Sequence, residues 1–167
     1  MVLYWFGKLT MLRISKLADY GTIILTAMAG EPEWTFSAAE LGVRTGLPLP
    51  SVSKILKILL RQGIVVSLRG ANGGYKLARA PAEISTVQIL NALDGPLGVT
   101  ECSASPGLCK LEAHCGARAH WHMINRVVLK ALEQITLQQM IAPRRTRVDV
   151  LRRTPREART AAPEVSP

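Results

Sequence analysis

Between Gly63 and Pro81 the chain has to fold back on itself. Ile64-Val65-Val66-Ser67-Leu68 is β-branched and strand-like, and Tyr75-Lys76-Leu77 returns as a second strand. The Arg69-Gly70-Ala71-Asn72-Gly73-Gly74 stretch between them supplies positive φ at little steric cost, which makes the pair a β-hairpin with a basic, glycine-rich tip. Three helical patterns precede it. Ser15 can cap a helix carrying Leu17, Tyr20, Ile23, Ile24, Ala27 and Met28, ended by Gly30 and Pro32. Ser37, with Glu40 three residues on, has the spacing of a capping box and opens a second helix with Ala38, Leu41 and Val43 that stops at Gly46. Pro48 and Pro50 introduce a third, from about Ser51 to Gln62, with Val52, Ile55, Leu56, Leu59 and Leu60 on one side. Helix, helix, turn, helix and a two-stranded wing is the order of a winged helix-turn-helix, so the expected fold is mainly α.

Charge distribution sharpens that expectation. The 167 residues carry a formal net charge of +9, and between Leu41 and Ala82 there are basic residues (Arg44, Lys54, Lys57, Arg61, Arg69, Lys76, Arg79) but no acid. Such a one-signed stretch suits a polyanion, because phosphate contacts release condensed counterions. The third helix fits the major groove, with Ser51, Ser53 and Lys54 placed for base edges and Lys57 and Arg61 for phosphate. Arg69 at the wing tip, with Asn72 beside it, suits a narrow minor groove. The competing reading is a merely solvated basic face, with Ser51 and Ser53 solvating a helix start.

Beyond Pro81 a fourth helix starts at Ser85 or Thr86 and runs through Val87, Ile89, Leu90 and Leu93 to Gly95. A segment broken by Gly98, Pro106, Gly107 and Gly116 follows, carrying the chain's three cysteines, Cys102, Cys109 and Cys115, spaced C-x6-C-x5-C. Three thiols in one irregular segment point to metal or redox chemistry, and an odd count leaves one over in any intramolecular disulfide scheme. A long helix from about Ala117 to Gln134 has an apolar stripe of Trp121, Ile124, Val127, Val128, Ala131, Leu132 and Ile135, and Thr136 can cap a last short helix, Leu137 to Ile141. Residues 1–10 are expected to be an N-terminal extension, with Met11 an alternative start. Residues 11–82 form the winged-helix unit, 83–142 the cysteine segment and its helices, and 143–167, rich in Arg and Pro, a disordered basic tail.

The composition, 48% hydrophobic and 20% charged, is that of a globular chain. There is no membrane-length apolar run and no secretory signal pattern, so the expected location is cytoplasmic, where thiols stay reduced. No nucleophile–base pair or phosphate loop argues for catalysis or a small-molecule substrate.

The run from Leu12 to Gly21, the Leu47-Pro48-Leu49-Pro50-Ser51-Val52-Ser53-Lys54 helix start, the Arg69-to-Tyr75 wing and Thr100-Glu101-Cys102-Ser103 resemble the IscR/NsrR/RirA-type regulators. These are dimeric bacterial winged-helix repressors that sense iron–sulfur status, nitric oxide or iron, and the wording is nearest the subgroup regulating the SUF cluster-assembly operon. The resemblance covers about Leu12 to Ala142. It implies that Cys102, Cys109 and Cys115 ligate an iron–sulfur cluster, [4Fe–4S] or [2Fe–2S], and that the Trp121-to-Leu132 stripe packs in a homodimer on a double-stranded operator. The first cysteine spacing is one residue longer than is common in IscR. Where IscR places a ligating histidine, three residues after its last cysteine, this chain has Arg118. The fourth-ligand candidates are therefore Asp19, His114, His120 and His122. Asp19 is preferred, because it sits where the NsrR branch has an aspartate supplied by the partner subunit. Zinc held by the three cysteines and a histidine, or a metal-free thiol switch, is the competing sensor chemistry. A winged-helix protein-interaction module of cluster assembly is the competing function.

Overall fold

A computed structural model of the chain describes residues 14–70 and 73–141. Three helices come first: α1 (Lys16–Ala29), α2 (Ala38–Thr45) and α3 (Leu49–Arg61). The antiparallel strands β1 (Val65–Leu68) and β2 (Gly74–Leu77) follow, in the register Val65 to Leu77 and Leu68 to Gly74. Then come α4 (Thr86–Asp94), the short α5 (Glu101–Ala104), α6 (Arg118–Glu133) and α7 (Leu137–Ile141). Mostly helical with one two-stranded sheet, this is the expected winged helix-turn-helix. Readings placed on residues 1–13, on Ala71 and Asn72 and on 142–167 lie outside the described residues.

The helix starts follow from side-chain caps. Ser15 Oγ accepts from Ala18 N at 3.1 Å, and Ser37 Oγ accepts from Glu40 N at 3.0 Å. Ser85 and Gln88 form a reciprocal capping box, Gln88 N to Ser85 Oγ and Ser85 N to Gln88 Oε1. At Ser37 the expected box is only half made. The Glu40 carboxylate turns instead to Arg44, one turn on, at 2.9 Å. Helix α3 begins two residues before the expected Ser51, because Pro50 needs no amide partner in a first turn.

One apolar core joins these elements. Ile24, Leu25 and Met28 of α1, Leu41 of α2 and Val52, Ile55, Leu56 and Leu59 of α3 are buried together with Ile84, Ile89 and Leu137. The core thus runs across residue 82 into α4 and α7. Thr86 N and its hydroxyl both donate to Ile135 O at 2.8 Å, and Leu137 N donates to Ile84 O, so the end of the chain is tied back onto the start of α4. Val43 departs from expectation. It is 86% exposed, on the side of α2 away from the core.

The wing has a third, one-residue partner that the sequence does not announce. Phe36 N donates to Tyr75 O at 2.9 Å and Tyr75 N to Phe36 O at 2.7 Å. Gly74 permits this, since a Cβ there would lie 2.5 Å from Phe36 O. The hairpin is therefore seated on the segment between α1 and α2 rather than standing as an isolated ribbon.

Candidate nucleic-acid interface and cysteine segment

Helix α3 buries Val52, Ile55, Leu56 and Leu59, which turns Lys54, Lys57 and Arg61 outward at helical spacing. Ser51 and Ser53 are half-buried at the helix start, and Pro50 is exposed beside them. Arg69 is exposed at the end of β1, next to Gly70, whose φ of +113° lets the tip turn. Among the described residues none of Lys54, Lys57, Arg61 or Arg69 is paired with an acid.

The other cations of the stretch are partly spoken for. Arg44 pairs with Glu31 and Glu40 and lies over the Phe36 ring, 5.0 Å from its centroid. Lys76 pairs with Glu33 at 2.8 Å, and this hydrogen bond holds the Glu33 carboxyl below its usual range. A stretch that is acid-free in sequence is thus met in space by acids from residues 31–40. The free positive charge narrows to the outer face of α3, the wing tip and exposed Arg79.

The cysteine segment hangs between α4 and α6. Gly98 lies against α5 so closely that a Cβ would be 2.3 Å from Ala104 N. Asn125 of α6, 6% exposed, accepts from Val99 N at 3.1 Å and donates to Ser103 O at 3.3 Å, gripping both ends of the turn that carries Cys102. Cys102 is buried, its Sγ 3.3 Å from the Thr100 hydroxyl, while Cys109 and Cys115 are half-buried. Glu112 ties down the rest. It pairs with Arg118 at 2.7 Å and accepts from Gly107 N at 2.6 Å. Beneath the segment, between α4 and α6, lies a cavity of about 380 Å³ lined largely by Leu90, Leu97, Ala104, Val128, Leu129 and Leu132. Replacing Asn125 by Ala strands two buried backbone groups at once, and should lower stability by about 1–3 kcal/mol. Urea unfolding, with limited proteolysis between residues 99 and 116, checks it.

The donor set matches an iron–sulfur cluster in kind: three thiols, and one imidazole nitrogen, His122 Nε2, buried with no hydrogen-bond partner among the described residues. The side chains are not yet gathered. Among the described residues no three His, Cys, Asp or Glu side chains converge closely enough to hold a metal ion. His114 and His120 are exposed, Arg118 is engaged by Glu112, and Asp19 is exposed in the first turn of α1, beside Ile14, Ser15 and Lys16. Trp121, Ile124 and Val127 of the expected stripe remain 38%, 40% and 65% exposed, whereas Val128 and Leu132 turn inward toward α4.

Among the described residues no helix is long and apolar enough to cross a membrane. The family model for Rrf2, described as an iron-dependent transcriptional regulator, matches residues 14–143. The chain is 27% identical over 130 residues to the HTH-type transcriptional regulator IscR of Aliivibrio salmonicida, covering 75% of this chain and 77% of that one. Its fold is similar to that of CymR, the global cysteine regulator of B. subtilis, with a TM-score of 0.64 and 28% identity over 78% of this chain and 97% of that one. It is also similar to T. potens IscR, with a TM-score of 0.60 and 26% identity over 81% and 89%. These relatives are regulators, not enzymes. A winged helix with an unpaired basic recognition face, matched along most of its length by one family, belongs to the Rrf2 family of DNA-binding transcriptional regulators.

Proposed function

We propose that the protein is a homodimeric regulator, acting as a repressor of iron–sulfur cluster assembly genes of the SUF type, and that its cysteine segment senses iron–sulfur or redox status. The observation that carries this reading is the continuity between the two sites. The core that positions α3 also holds α4, and α4 runs directly into the segment bearing Cys102, Cys109 and Cys115. Two α3 helices about one DNA turn apart would enter successive major grooves, with Ser51, Ser53 and Lys54 near base edges and Lys57 and Arg61 on phosphate. Arg69, with Asn72, reaches the minor groove. The exposed Trp121, Ile124 and Val127 face of α6 is the surface a second copy would cover.

Cys102, Cys109 and Cys115 would hold the cluster, which when bound supplies an oxygen- and redox-labile cross-link. The chain's own residues supply the transmission. Asn125 fixes the Cys102 turn to α6, and Glu112 fixes the Cys109-to-Cys115 loop to Arg118. At the other end of α4, Asp94 accepts from the Ser15 hydroxyl and from Ser15 N, and Ser15 is the cap of α1. A shift of the cysteine segment therefore bears on the first helix of the DNA-binding unit through two short polar links. The cavity under the segment leaves it room to reseat without displacing the core.

A second reading is a metal-free thiol switch. The lack of any three convergent donors among the described residues favours it, with Cys109 and Cys115 half-exposed to oxidant. One preparation decides between them: anaerobic protein analysed for absorbance, iron and sulfide. The cluster reading expects a brown protein with iron and sulfide in equal amounts. A colourless protein whose DNA binding responds to oxidant would establish the thiol reading instead.

A further inference from the structure

Arg118, His122 and Asn125 occupy one face of α6 at i, i+4 and i+7. The first and last of them are already tied to the cysteine segment: Arg118 to Glu112, which lies between Cys109 and Cys115, and Asn125 to Val99 and Ser103, which flank Cys102. His122 sits between them on the same face. Its Nε2 is buried, and no hydrogen-bond partner reaches it among the described residues. A buried polar nitrogen without a partner is costly, and one kept between two satisfied neighbours calls for a ligand.

We propose that His122, whose Nε2 lies buried and unpartnered between two residues fastened to the cysteine segment, is the fourth ligand of the cluster held by Cys102, Cys109 and Cys115, supplied by the same chain. This rests on the cluster reading above and deepens it. Three thiolates leave one protein-facing position open in either common cluster type. A neutral imidazole fills it through the Nε2 lone pair, with its proton on Nδ1, so no proton is released and no charge is added. The alternatives are less well placed. His114 and His120 are exposed, Arg118 is held by Glu112 and carries no free lone pair, and Asp19 is an exposed carboxylate on α1, a harder donor than imidazole toward iron in a sulfide-bridged site. The donors do not converge in the arrangement described, so ligation requires the loop from Ser105 to Gly116 to close onto α6.

The test uses the full chain, reconstituted anaerobically with ferrous iron and sulfide, reduced, and studied by pulsed electron paramagnetic resonance. The wild type should show the coupling of a directly bound histidine nitrogen, changed in the expected manner by ¹⁵N-histidine labelling. That coupling should vanish in His122→Ala and His122→Cys and persist in His114→Ala, His120→Ala and Asp19→Ala. His122→Ala should also surrender its iron to a chelator at least roughly tenfold faster, while His122→Cys, with a replacement thiolate, should hold it. A loaded wild type without nitrogen coupling overturns the proposal even if no variant folds. Coupling retained in His122→Ala, or lost in either other histidine variant instead, overturns it too and leaves the cluster reading standing. A wild type that takes up neither iron nor sulfide removes both.

Discussion

Replacing Lys54, Lys57 and Arg61 together with Ala should reduce the steepness of the salt dependence of DNA binding by about 3 in the slope of log K against log salt. Each of these cations faces outward from α3 without an acid partner among the described residues, so each is free to displace a counterion from phosphate. The informative comparison is a second variant, Arg44→Ala with Lys76→Ala. It removes charge of the same sign from the same basic stretch, but both residues are already paired, to Glu31, Glu40 and Glu33. Its slope should stay close to that of the wild type. A diffuse basic surface, by contrast, would make the two variants lose slope in proportion to the charge removed. Fluorescence anisotropy on one duplex across a salt series separates these outcomes.

Phe36→Ala should have the largest effect on stability, a loss of about 3–5 kcal/mol in urea unfolding. The side chain is fully buried, so its removal combines lost burial with a cavity the core closes only in part. The backbone of the same residue exchanges two hydrogen bonds with Tyr75 and thereby seats the wing. The variant should therefore also weaken DNA binding under conditions where it remains folded, because Arg69 is carried at the end of β1. Retention of full stability would mean that the wing is not held through this contact.

Much of the fold is legible because its punctuation is local. Ser15, Ser37 and Ser85 each stand one residue before a helix and cap it, and the hairpin declares itself through β-branched residues around glycines. What stays hidden depends on partners distant in sequence. The Phe36–Tyr75 bridge is one residue long and has no periodicity to read. Helix α5 is a single turn inside a segment that looks irregular. The acid-free stretch loses Arg44 and Lys76 to acids that lie just outside it in sequence but beside it in space. At Val43, spacing puts an apolar residue on a stripe that the fold leaves in solvent.

The cysteine site divides along the same line. Three thiols in one segment are visible in the sequence, and so is the excess of one over any disulfide scheme. The sequence does not show that Asn125 is the buried clasp of that segment, or that Arg118 serves it by pairing with Glu112. Nor does it rank His122 above the other histidines, since the distinction is the burial of a single nitrogen atom. Closeness in sequence gathers the thiols, but it does not bring their sulfur atoms together.

The central claim is that the cysteine segment and the DNA-binding face form one coupled system. The direct measurement is the affinity of the anaerobically loaded protein for a duplex selected from random sequence by the protein itself, taken before and after the iron is removed with a chelator, at one fixed salt concentration. The account predicts that the two affinities differ by about 5–150-fold, the range of a coupling free energy of about 1–3 kcal/mol. It also predicts that Cys102→Ser, Cys109→Ser and Cys115→Ser each abolish the difference. Equal affinities in the loaded and stripped states would contradict it.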